Sequence, residues 1–336
     1  MEKMGDVVAN AATGRARRPD GTGGMTPDPR LLPAPDPGGR ILPSGRPVPQ
    51  WREELRRIPS IRNTVSVVVL YAATVGILAA AVRVGHPLGY AAAFLAMGPV
   101  IARFNILMHE AAHRLLFSNR RANDLVGRWL LGFPVLSPTD LYRRGHMAHH
   151  RREFGPDEPD LALYRNYPIS RASMRRKLLR DALGITGVKL TRGLFRGLRS
   201  PVPAVRSQAR GIVVTQLVIL GLFTLAGHPW LYPLLWLGPQ HTVWRVLNRL
   251  RGIAEHGGLE ASPDRRVTTH AVRQSWLARA TIVPYHTGLH LAHHVDPGIP
   301  FRRLPALHAE LRRSGYLPAG LEYPSYRALW RALASG

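Results

Sequence analysis

Residues Asn63–Val82 read NTVSVVVLYAATVGILAAAV, a run without a single charge. It is about the ~20 apolar residues that a helix needs to cross a bilayer. A second apolar run, Leu88–Ala102, follows after only Arg83-Val84-Gly85-His86-Pro87 and continues through Arg103 into FNILMHE. Two apolar runs joined by so short a Gly/Pro turn read as a helical hairpin. The pattern recurs with Gly211–Gly227 (GIVVTQLVILGLFTLAG) and Pro229–Val243 (PWLYPLLWLGPQHTV). These runs are shorter, and buried helices of a soluble protein are the plain alternative for them. The charges decide for the membrane. Arg56, Arg57 and Arg62 precede the first run, and Arg114, Arg120 and Arg121 follow the second. Arg206 and Arg210 precede the third, and Arg245, Arg249 and Arg251 follow the fourth, whereas the outer turns carry Arg83 and little else. By the positive-inside rule both hairpins start and end on the cytoplasmic side.

The expected fold is therefore all-α and integral to the cell (cytoplasmic) membrane. Four transmembrane helices form two hairpins, and a cytoplasmic helical cap is built from residues 104–210 and 245–336, with both termini on that side. The apolar but interrupted stretch Leu125–Leu136 is expected along the membrane surface. Residues 1–48, rich in Gly, Pro, Arg and Asp, read as a disordered tail that lacks the apolar segment of a secretory signal. Residues 49–320 form the membrane domain, and 321–336 a C-terminal tail.

Composition narrows the chemistry. The 336 residues contain no cysteine, which excludes disulfide scaffolds, thiolate metal sites and cysteine nucleophiles. Lys+Arg 46 against Asp+Glu 21 gives a formal charge of +25. That charge suits nucleic acid, an anionic membrane surface or an acidic protein. No nucleic-acid-binding module and no basic–aromatic interleaving is present, so no nucleic acid partner is expected.

The chain has 15 histidines, and most are clustered. His109 and His113 lie in HEAAH, a letter-for-letter match to the H-E-x-x-H zinc-protease pattern. His146, His149 and His150 lie in RRGHMAHHRR, His256 in RGIAEHGG, and His290, His293 and His294 in GLHLAHHVDPG. Helical residues at i, i+3 and i+4 share a face, so each cluster presents its imidazoles together. A catalytic zinc uses three protein ligands. Nine imidazoles exceed that need and suit two metals, although imidazole serves Zn, Cu, Fe and Ni alike. A carboxylate-bridged bundle site would want two Glu-x-x-His pairs, and only Glu110 with His113 forms one. Glu110 reads as a partner behind a ligand rather than a protease base. The isolated His86, His228, His241 and His270 read as surface or capping residues.

HEAAH, HMAHH and HLAHH, in this order between paired hairpins, resemble the three histidine boxes of the bacterial type of membrane fatty-acid desaturase. RGIAEHGG, EFGPDEPDLALY and HHVDPGIPFRRLPALH are similar to other familial stretches, so the likeness covers roughly residues 60–315. The resemblance implies two non-haem iron ions held by His109, His113, His146, His149, His150, His256, His290, His293 and His294, with His286 or His308 nearby. It implies dioxygen as co-substrate and introduction of a double bond into a fatty acyl chain carried on CoA, a carrier protein or a lipid. Acyl hydroxylation and oxidative decarboxylation are alternatives on the same site. An intramembrane zinc metalloprotease is a weaker alternative, because it has no use for the second and third boxes. Removing hydrogen from an unactivated methylene needs a cofactor metal, since side chains supply no such oxidant. With no cysteine and no flavin or nicotinamide fingerprint, electrons are expected from an external donor such as a ferredoxin. The basic segment Arg171–Arg210 suits an acidic donor or carrier protein, and equally anionic lipid, the favoured reading.

Overall fold

The computed structural model describes residues 17–36, 39–155 and 158–336. In chain order, the helices that position the site are α1 (Pro49–Leu55), α2 (Ser60–Val84), α3 (Pro87–Ala112), α4 (Thr139–Arg151), α5 (Arg171–Ala182) and α6 (Ile185–Arg196). They continue with α7 (Pro203–Leu225), α8 (Val243–His256), α9 (His290–Val295), α10 (Leu304–Arg313) and α11 (Tyr326–Leu333). Among the described residues, strands are confined to a parallel pair, β1 (Ala271–Val272) and β2 (Glu322–Tyr323), in register Ala271 to Glu322. The chain divides into two compact units. One comprises residues 58–144 and 176–248; the other comprises the described residues up to Arg57 with Gly145–Arg175 and Arg249–Gly336.

The first of these units contains the apolar helices. Among the described residues, three segments are long and apolar enough to cross a membrane: Pro49–Val84, Pro87–Ala112 and Pro203–Leu225. On α2, Val65, Val68, Val69 and Val75 are all more than half exposed, while Leu70 is buried. Such an apolar outer face is unfavourable in water and natural against lipid. The turn after α2 follows the sequence. Gly85 takes φ +62 as the left-handed cap, and His86 caps α3 by accepting the Leu88 N–H at 3.2 Å. Pro87 opens α3, where its missing N–H costs nothing. Inside the unit, Asn63 donates to the Leu116 carbonyl at 2.8 Å and so satisfies a buried backbone group.

The fourth expected run departs from a continuous helix. After Gly227 (φ +80), a wide π-helical stretch Tyr232–Leu237 passes into Gly238–His241. The backbone then breaks at Thr242 (φ -119, ψ -83) before α8 begins. Pro233 and Pro239 have no N–H to close ordinary helical turns, and the Gly238 N–H reaches back to the Pro233 carbonyl instead. Leu125–Leu136 is likewise short and helical, and its residues Leu131, Phe133 and Val135 are buried. Gln216 donates to the Phe133 carbonyl at 2.8 Å, Trp236 to the Pro134 carbonyl at 2.9 Å and Gln240 to the Val135 carbonyl at 2.6 Å. These bonds tie down the 3-10 turn Phe133–Val135 and satisfy carbonyls at its end.

The other unit carries the remaining clusters. Of the stretch read as an N-terminal tail, residues 1–16 and 37–38 lie outside the described residues. Within the rest, Met25 and Ile41 are buried and the Met25 N–H donates to the Gly258 carbonyl at 2.7 Å. At the other end, residues 321–336 hold β2 and α11, where Leu329 and Leu333, one turn apart, are fully buried.

Close approach of helices tests the packing of the apolar unit. A Cβ at Gly98 of α3 would lie 2.2 Å from Val243 Cγ1, whereas one at Gly76 of α2 meets nothing within 4 Å. Gly98→Leu is expected to destabilise the detergent-solubilised protein by about 1–3 kcal/mol, the usual cost of overpacking. Gly76→Leu should leave the thermal unfolding midpoint nearly unchanged. Equal shifts for the two variants would show that this contact is not made.

Candidate metal centre

Seven of the clustered histidines converge within one unit. His146, His149 and His150 come from the end of α4, His256 from the end of α8, and His290, His293 and His294 from α9. All seven are buried. The i, i+3, i+4 spacing places each triplet on one helix face, as helical geometry requires.

Hydrogen bonds on the outer ring nitrogens determine which way each ring points. His149 Nδ1 donates to Glu158 Oε2 at 2.8 Å, and His294 Nδ1 to Glu153 Oε1 at 2.5 Å. His290 Nδ1 lies 3.3 Å from Glu255 Oε1. His256 Nδ1 faces the Thr268 carbonyl at 2.8 Å. A carbonyl only accepts, so that nitrogen must carry the proton and Nε2 presents its lone pair. In all four residues one nitrogen is held by an oxygen and the other is left available, the usual arrangement behind a metal-binding imidazole.

The inward nitrogens are close together. His256 Nε2 lies 3.0 Å from His290 Nε2. His150 Nε2 lies 3.0 Å from His146 Nε2 and 3.1 Å from His293 Nε2. Metal–nitrogen bonds of about 2.1 Å at right angles put two ligand nitrogens about 3 Å apart. Where His290, like His256, carries its proton on Nδ1, beside Glu255, two lone pairs face each other at that distance. A cation between them turns this repulsion into attraction. The Nε2 of His294 is buried with no hydrogen-bond partner. Ligand atoms of His149, His256 and His294 lie within 4.8 Å of one another, as do those of His150, Glu153 and His294. The residues therefore fit a metal-binding centre.

Electrostatics favours the neutral imidazoles that metals need. Burial holds His256, His290 and His294 well below the ordinary histidine range, and neighbouring rings add to the effect. His149 goes the other way: burial pulls it down, but its bond and charge interaction with Glu158 outweigh that and raise it. Burial would raise Glu158, yet the His149 bond keeps it below its usual value. Burial pushes Glu153 up against the pull of Arg265, which pairs with it at 2.5 Å. Burial likewise raises Glu255 against Arg251, whose Nε lies 2.6 Å from Oε1. Two of the three acids behind the rings, Glu153 and Glu255, thus have an arginine neighbour that stabilises their charge.

His109 and His113 belong to the other unit. They sit at the end of α3 with ring centroids 4.7 Å apart, and His109 also lies 6.3 Å from the ring of Tyr142. Glu110 beside them is buried. His308 pairs with Glu322 at 3.4 Å. His286 is half-buried and precedes α9 in a left-handed conformation (φ 64) shared with Tyr285 (φ 55). The isolated histidines have structural tasks: His86 caps α3, His241 bonds Thr191 at 2.8 Å, and His270 donates to the Gly257 carbonyl at 2.8 Å. The sequence reading missed Glu153, Glu158 and Glu255. Their signal was proximity, since Glu153 follows His150 by three residues and Glu255 precedes His256 directly.

The sequence profile of the fatty acid desaturase family matches residues 85–327, well over half of the chain. The dihydrorhizobitoxine desaturase of Bradyrhizobium elkanii is 25% identical to it over 229 residues, 63% of this chain and 64% of that protein. The match thus spans less than two thirds of the relative's length.

Removing an acceptor behind a ring should loosen the metal. Glu158→Gln is expected to raise the concentration of metal needed for half-occupancy about 10–100-fold. Titrating metal into chelator-stripped protein measures this. Unchanged occupancy would mean that His149 does not contribute a ligand.

Proposed function

On the premise that the chain belongs to the fatty acid desaturase family, we propose that it is a membrane-bound, non-haem di-iron enzyme that introduces a double bond into a fatty acyl chain. Family membership and the relative's desaturase name make it an oxidoreductase, and its three apolar helices agree with a membrane protein. The observation that carries the proposal is the set of seven buried histidines, four of them with Nδ1 held by an oxygen. A single zinc would leave most of these rings without a task.

The proposed ligands are the nine histidines of the boxes and RGIAEHGG, with His109 and His113 completing the seven. Two irons at these residues, with dioxygen and an external electron donor such as a ferredoxin, would supply the oxidant that takes two hydrogens from adjacent carbons. The protein's own part is to hold its ligands rigid and neutral. Glu158, Glu153, Glu255 and the Thr268 carbonyl fix four rings, and Arg265 and Arg251 steady two of those acids. Burial excludes water from the ring cluster, so an oxidant formed there would be directed to substrate. The acyl group would arrive on CoA, a carrier protein or a lipid, and a bilayer location suits a chain that partitions into membrane. The relative's name refers to dihydrorhizobitoxine, so the substrate here need not be a long-chain lipid.

The proposed topology has four crossings in two hairpins with the histidine-bearing segments and both termini in the cytoplasm. The arginines beside the apolar runs support it. The cysteine-free chain makes the test clean, because one introduced thiol is the only reactive one. Arg83→Cys in intact cells should react with an impermeant maleimide, and Arg121→Cys only after permeabilisation. The reverse pattern would invert the topology.

Expression in a heterologous host followed by lipid mass spectrometry tests the reaction. A loss of two hydrogens per acyl product is expected, and His150→Ala or His294→Ala should reduce it at least ~100-fold, a loss of about 2.7 kcal/mol or more in catalytic free energy. A new hydroxyl or a chain one carbon shorter would instead identify hydroxylation or decarboxylation. Undiminished product from the two variants would refute the site.

A further inference from the structure

Within the unit that holds the apolar helices lies a cavity of about 390 Å3. Its walls are mostly aliphatic, with Val135, Leu136, Leu141, Leu190 and Leu194 among them. A water or methylene takes roughly 30 Å3, so about a dozen such groups fill the space. That suits one aliphatic chain and is too small for a two-chain lipid.

One cation lines it. Arg245, near the start of α8, donates through Nε to the Gln240 carbonyl at 3.2 Å. Its terminal amino groups make no hydrogen bond among the described residues, and part of its surface lines the cavity. The charge that most favours it is Asp181, whose Oδ1 accepts from the Thr186 hydroxyl at 2.5 Å. Burial brings Arg245 down to about 10, which still leaves it cationic at neutral pH. A half-buried cation whose terminal amino groups make no hydrogen bond among the described residues is a natural receptor for a planar anion, since guanidinium and carboxylate match fork to fork. Thr191 adds a hydroxyl to the lining, and Asn105 an amide.

Asn105 also gives the cavity a direction. It stands one turn before His109 on α3, about 6 Å along the helix axis. A chain anchored at Arg245 and extending toward Asn105 would therefore run toward the first histidine pair.

We propose that this cavity binds a single-chain aliphatic carboxylate as the free acid, with its carboxylate on Arg245 and its chain among the leucines. Its role as a substrate site rests on the desaturase reading above, but binding itself does not. A free acid differs from a CoA, carrier-protein or lipid ester in keeping the negative charge that Arg245 would recognise.

The test is binding of decanoate to detergent-purified protein by calorimetry, against methyl decanoate, decanoyl-CoA and a single-chain phosphate lipid of the same chain length. Decanoate is expected to bind at least ~10-fold tighter than the ester, a preference of about 1.4 kcal/mol. Arg245→Gln should abolish that preference. Gly193→Leu should weaken every ligand. Gly193 lines the cavity, and a Cβ there meets nothing within 4 Å, so a leucine can be added at its wall without a backbone clash. Metal content measured on the same samples should be unaffected by either change, which separates failure of this inference from failure of the metal centre. Equal binding of acid and ester, tighter binding of the CoA ester or the phosphate lipid, or an Arg245→Gln variant that still prefers the acid would each overturn it.

Discussion

An imidazole is useful to a metal only when one nitrogen is held and the other is bare, and the histidine-bearing unit depends on that constraint. Glu158, Glu153 and the Thr268 carbonyl each take one Nδ1–H, and Glu255 lies 3.3 Å from the Nδ1 of a fourth ring, His290. The four rings are thereby committed to a tautomer and an orientation. Without those acceptors, neutral rings at these spacings could protonate Nε2 and hydrogen-bond one another instead of facing a metal. With them it becomes a preorganised donor set, although burying three carboxylates costs free energy that Arg265 and Arg251 offset. The buried acids are thus part of the centre in the same sense as the rings they hold.

A second constraint acts on the apolar unit. A lipid-facing helix must satisfy its backbone internally, so non-helical corners survive only where protein covers them. Leu136 caps such a corner with φ 57, and Gln216, Trp236 and Gln240 bond the carbonyls around it. The same corner contributes Val135 and Leu136 to the Arg245 cavity. An irregular segment that looks like a flaw in a membrane protein here shapes a chamber.

Much of this was legible in the sequence because it rests on local patterns. Charge-free length foretold α2 and α3, and Gly85 and Pro87 foretold the turn between them. The HxxHH spacing foretold which rings share a face, and isolation marked His86 as a capping residue, whereas His270, read the same way, is buried and bonds the Gly257 carbonyl. What stayed hidden depends on tertiary partners. No local pattern says that Glu153 belongs to His294, 141 positions away. Pro233 and Pro239 were visible in the fourth run, but hydropathy averaging passes over a missing N–H. Sparse apolar residues such as Met25 and Ile41 are outweighed by the Gly and Pro around them, so composition gives no sign of their burial.

The identity of the metal that the histidines hold is the decisive quantity. Elemental mass spectrometry of detergent-purified protein, expressed in iron-replete cells, measures it. About two irons per chain with little zinc is the predicted result: the number of imidazoles suits two metals, and the proposed desaturase chemistry calls for iron. One zinc per chain with no iron would contradict the account, and HEAAH would then have to be read as the zinc site its letters suggest.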